Sequence, residues 1–128
     1  MADSRNLAGG RAQTRNEILE KRMLLFAAAV IKELKKQRSL PFSVVDQLTR
    51  SSASIGANYA EACNASSKLD FRNKIFIAKK EAAETRYWID LVMELADSQD
   101  WLNLKQEAKE LVLILQTIIN TLKGKSEK

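Results

Sequence analysis

The sequence predicts an all-α fold, an up-down-up-down antiparallel four-helix bundle, on three observations. One Pro (Pro41) and four Gly among 128 residues are too few for the many turns of an all-β domain. Ala, Leu, Glu, Lys, Gln and Arg, which lose little freedom in a helix, dominate the composition. Apolar residues recur three and four apart in four blocks joined by short polar breaks. The length suits one domain, and 45% hydrophobic with 29% charged residues describes a packed globular chain, not a disordered one.

Residues 1–14 have no apolar period and read as a flexible basic tail, followed by a bundle over 15–123 and a second tail over 124–128. The first helix spans about 16–37, with Leu19, Met23, Phe26, Val30 and Leu34 on its seam. Lys32, Lys35, Lys36 and Arg38 crowd its end, where cations suit the helix dipole. Pro41 breaks that helix, and Ser43 is the expected N-cap of the second, with Asp46 in the first turn. Val45, Leu48, Ser52, Ile55, Tyr59 and Ala62 form the second seam. Small residues around Gly56 predict a close helix approach, because Gly costs about 1 kcal/mol relative to Ala inside a helix.

The next turn falls at 64–67, and Ser67 with Asp70 resembles a capping box. The third helix has the most regular seam, Phe71, Ile75, Ala78, Ala82, Thr85, Ile89, Val92 and Ala96. A parallel stripe with Ile77, Trp88, Leu91 and Leu95 gives it a wide face, leaving surface for subunit contacts. After a break at 98–100 the fourth helix spans about 103–123 on Leu104, Ala108, Leu111, Leu115, Ile118 and Leu122, with Gly124 as its cap.

The chain has no histidine, which removes the Glu-x-x-His pairs of di-metal bundles. Gly9-Gly10 follows no strand, so nucleotide hydrolysis is not expected. Cys63, the single cysteine, has no disulfide or metal companion and no base to activate it. These features predict a non-enzymatic protein with no cofactor or metal. The polar N-terminus and the absence of a membrane-length apolar run predict a soluble, cytoplasmic chain.

Two constellations remain. Ser51, Ser54, Asn58 and Glu61 line the second seam, and Lys74, Glu81, Glu84 and Thr85 offer a complement on the third helix. Polar groups so near a core need partners, so an interhelical network is expected, with a ligand or partner groove as the alternative. The second constellation is basic: Arg11, Arg15, Lys32, Lys35, Lys36, Arg38, Arg50, Arg72 and Lys79, in a chain of net charge +5, are the candidate contacts to RNA or DNA. The alternative for these residues is a solvated mixed-charge face. Tyr87, Trp88 and Trp101 read as core or interface anchors, not as base-stacking platforms.

The segments RSSASIGANYAE (50–61), SKLDF (67–71) and IAKKEAAETRYWI (77–89) resemble the bacterial four-helix-bundle family first noted in intervening sequences of 23S ribosomal RNA genes. The resemblance implies a ring-like homopentamer and places Ser54, Asn58, Glu61, Lys80, Glu81, Glu84, Thr85 and Trp88 in the family's stripe, an interhelix or subunit polar network. The chain is also similar in size, helix count and charge to a related branch, the accessory variability determinants of diversity-generating retroelements. That likeness implies a reverse transcriptase and nucleic acid as partners. The resulting expectation is a homo-oligomeric scaffold that binds nucleic acid; the alternative is a protein-only adaptor presenting a groove to a protein partner.

Overall fold

The computed structural model describes residues 12–96 and 98–126; Arg11, most of the expected N-terminal tail and the last two residues lie outside them. Four helices follow one another: α1 Arg15–Lys35, α2 Phe42–Cys63, α3 Lys68–Leu95 and α4 Gln99–Ser126. There is no strand among the described residues.

Each boundary has a local cause. Thr14 accepts from the Glu17 N–H at 3.1 Å and donates its own N–H to Glu17 Oε1 at 2.9 Å, a capping box that starts α1 at Arg15. At its other end the Lys36 and Gln37 amides reach back only three residues, which tightens and ends the helix after Lys35. The second helix departs from expectation. Pro41, not Ser43, is the N-cap; its carbonyl accepts from Val44 and Val45, and it makes no side-chain cap. Ser67 Oγ accepts from the Asp70 N–H at 3.0 Å and sets the start of α3.

The fourth helix is longer than its periodicity indicated at both ends. Ser98 Oγ accepts from the Asp100 N–H at 3.1 Å, and the helix starts at Gln99, which brings Trp101 into it. It also runs through Gly124 to Ser126, correcting the reading of Gly124 as a cap and of 124–126 as tail. That cap requires the left-handed conformation, and no described glycine has a positive φ.

The helices pack in sequence order around a closed circuit, with α2–α3 the most extensive contact and α4–α1 the least. Met23, Val30, Leu48, Ile55, Ile75, Ala82, Ile89, Trp101, Leu111 and Leu115 form the core. Two seam positions shift by one residue: Val44 is buried in place of Val45, and Ile119 in place of Ile118. Gly56 lets α1 settle onto α2, since a Cβ there would stand 3.2 Å from Met23 Cβ. No helix among the described residues is long and apolar enough to cross a membrane.

Candidate functional site

The polar seam lies between α2 and α3, whose antiparallel register pairs early residues of one with late residues of the other. Arg50 reaches Glu81 at 3.3 Å and also binds Glu84, while Gln47 Oε1 accepts from the same guanidinium. Glu84 Oε2 accepts from Trp88 Nε1 at 2.9 Å. At the far end of the seam Lys74 Nζ stands 2.7 Å from Glu61, which holds the Lys74 ammonium above its ordinary value. Beside the Arg50 cluster Ser51 and Thr85, both fully buried, bring their hydroxyls within 2.9 Å.

Not every residue of the expected network joins it. Ser54 donates to the Arg50 carbonyl and Asn58 to the Ser54 carbonyl, so both satisfy themselves on their own helix. Lys80 is exposed and has no hydrogen-bond or ion-pair partner among the described residues. Arg50, expected on a nucleic-acid surface, is instead drawn to two carboxylates of α3. Glu61, Glu81 and Glu84 each have a cation beside them, and no described group of three ligating side chains could hold a metal ion.

A second ion-pair cluster closes the weaker α1–α4 side. Arg22 forms a fork to Glu107 at 2.6 and 2.7 Å and reaches Glu110 at 2.7 Å, so its guanidinium is held still more firmly in the charged form. Near the start of α1 the Tyr59 hydroxyl lies 2.9 Å from Asn16 Oδ1. Burial pushes the Tyr59 phenol up, and also the nearby half-buried Cys63 thiol, which argues against a reactive cysteine. Trp101 is fully buried, and its indole N–H has no hydrogen-bond partner among the described residues.

The basic residues do not form one patch. The Tyr59–Asn16 contact puts the start of α1 beside the end of α2, so Arg15 and Arg72 belong to one end of the bundle. Arg72 there lies over the Phe76 ring at 5.6 Å. Lys32, Lys35, Lys36 and Arg38 occupy the opposite end, about 30 Å away at 1.5 Å per residue. All four are exposed, and among the described residues Lys36 alone of them has a carboxylate partner, Glu33 at 3.3 Å. Lys79 is half-buried near the middle of α3, apart from both groups.

One residue at the second basic end escaped the sequence reading. Phe42, the first residue of α2, is 81% exposed and directly follows the basic run. The available signal was an apolar residue off the second helix's seam, next to Pro41 and four residues after Arg38. Tyr87 is also exposed, with its ring edge-on to Trp88 at 5.3 Å.

A similar arrangement is known. The sequence profile of the 23S rRNA-intervening sequence protein family matches residues 15–117, most of the bundle. The chain belongs to that family. A crystal structure from Bacteroides thetaiotaomicron, of a protein of unknown function from the S23 ribosomal protein family, superposes with a TM-score of 0.71 at 35% identity. The match covers 78% of this chain and 96% of that one. No curated protein matches the chain. Family membership thus accounts for the four helices and leaves the activity open.

Proposed function

We propose that the chain is a non-enzymatic, homo-oligomeric helical scaffold of the cytoplasm that binds nucleic acid through the α1–α2 end. The observation that carries this reading is the exposed group Lys32, Lys35, Lys36 and Arg38, while Arg22, Arg50, Lys74 and Lys105 are engaged in interhelical ion pairs. Self-assembly is supported by the large apolar side chains left on the outside, Ile18, Leu24 and Leu25 of α1 and Leu102 and Leu113 of α4. The family resemblance points to a ring-like pentamer. A ring would carry the four cations of each copy to one rim, and a multiplied basic rim suits a polyanion. The resemblance to retroelement accessory proteins adds a reverse transcriptase as the enzyme this scaffold serves.

The test is light scattering after size exclusion, with and without a structured RNA, at low and moderate salt. The expected result is an oligomer that shifts onto RNA, releases it as salt rises, and loses it when Lys35, Lys36 and Arg38 are changed to Glu. A monomer, or an oligomer indifferent to RNA at every salt, overturns the proposal. A protein partner is the second reading, favoured by the open groove between α1 and α2 where Leu24 stands exposed beside Ala53, Ala57 and Ala60. Its signature is partner capture that survives the charge reversal.

A further inference from the structure

We infer that Phe42 makes the basic end selective for single-stranded nucleic acid, by offering its ring as a stacking surface for an unpaired base. The inference rests on the nucleic-acid reading above and names the class of ligand. Phe42 is 81% exposed, more than any other large apolar side chain among the described residues. Such a ring forgoes the burial that other positions of the same helix provide, where Val44, two residues on, and Leu48 are buried. Its polar chain neighbours Ser39, Ser43 and Asp46 are exposed with it.

Around the ring the charge is positive. Lys35, Lys36 and Arg38 lie within seven residues of Phe42 along the turn, and Lys32 is one helical turn further down α1. Against them stand Asp46, and Glu33, which is buried and already paired with Lys36. Glu94 and Asp100, exposed on the α3–α4 corner of the same end, confine a polyanion to the α1–α2 corner. Flexible cationic stems around one projecting aromatic ring can follow a phosphate backbone while a base rests on the ring.

Two features favour a single strand over the other polyanions. Within a duplex the base faces are covered by their neighbours, so a projecting ring gains nothing there beyond what the cations supply. An anionic membrane would attract the same cations, but stable insertion needs a broad apolar face, and within residues 32–46 Phe42 is the one exposed large apolar side chain.

The full chain is titrated with an unstructured single-stranded RNA and with the same strand paired into a duplex, across a salt series. Wild type, Phe42→Ala, Phe42→Trp and the Lys35, Lys36, Arg38→Glu variant are compared. Phe42→Ala is expected to weaken single-strand binding about tenfold, leave duplex binding unchanged and keep the same salt slope. Phe42→Trp restores the loss. If Phe42→Ala binds the single strand as tightly as wild type while charge reversal abolishes binding, the inference falls and the nucleic-acid reading stands. If wild type binds neither RNA at low salt, both fall. Equal losses on the duplex, a lower oligomer mass of Phe42→Ala by light scattering, or a Phe42→Ala loss seen only on anionic vesicles titrated in parallel would each overturn the stacking role.

Discussion

Replacing Thr85 with Val tests the α2–α3 seam at its buried centre. The two shapes are close to isosteric, so the change removes a hydroxyl and little else. Thr85 Oγ1 stands 2.7 Å from the Glu81 carbonyl and 2.9 Å from Ser51 Oγ. A carbonyl can only accept, so the Thr85 proton goes to Glu81, and the Ser51 proton is then best placed on Thr85 Oγ1. Its other acceptor, the Leu48 carbonyl, is 3.4 Å away and offers a poor bond. Thr85→Val therefore strands the Ser51 hydroxyl in a site with no water access, at a cost of about 1–2 kcal/mol. Ser51→Ala leaves Thr85 its shorter bond and costs about 0.5 kcal/mol. In the double variant no hydroxyl remains to be satisfied, so it should be no less stable than Thr85→Val alone. Urea unfolding at fixed protein concentration, followed by the fluorescence of Trp88 and Trp101, provides the cycle. Strict additivity of the two single losses, or a neutral Thr85→Val, would refute the proton assignment.

The close approach at Gly56 sets two substitutions apart. A Cβ there meets Met23 Cβ at 3.2 Å, so Gly56→Ala trades that squeeze against a helix-propensity gain and should stay within about 1 kcal/mol of wild type. Gly56→Leu has no room without moving α1 and should lose about 2 kcal/mol or more in the same unfolding assay; a neutral result would mean that α1 is not seated there. The alkaline limb of stability tests the Tyr59–Cys63 corner. Burial raises both groups, with Glu20 adding to each, so the folded state favours their neutral forms. Their contribution is intact below the ordinary thiol and phenol range, about 8.5 to 10, and stability is lost as pH rises beyond it. Tyr59→Phe should make the urea midpoint fall less steeply from about pH 9 to 11, whereas identical slopes would remove Tyr59 from the linkage.

Much of the bundle was legible in the chain because its information is local. The 3,4 spacing of Met23, Phe26, Val30 and Leu34, and of Ile75, Ala78, Ala82, Thr85, Ile89 and Val92, needs no neighbour to show which face is apolar. Ser67 declared the start of α3 for the same reason, since its cap partner is three residues away. Helix ends that depend on backbone geometry were less legible: nothing in the letters says that Gly124 stays helical, or that Pro41 caps α2 in place of Ser43.

The polar and basic residues divide differently. Their types and spacing marked a network and a set of cations, but a helix face does not reveal which charge stands opposite it. Only the packing register of α2 on α3 joins Arg50 to Glu81 and Glu84. Only the antiparallel order of the helices sends Arg15 and Arg72 to one end and Lys32, Lys35, Lys36 and Arg38 to the other. Periodicity is a property of one helix and can be read along it, whereas the pairing of charges and the exposure of Phe42 depend on what three-dimensional packing brings near and what it leaves in water.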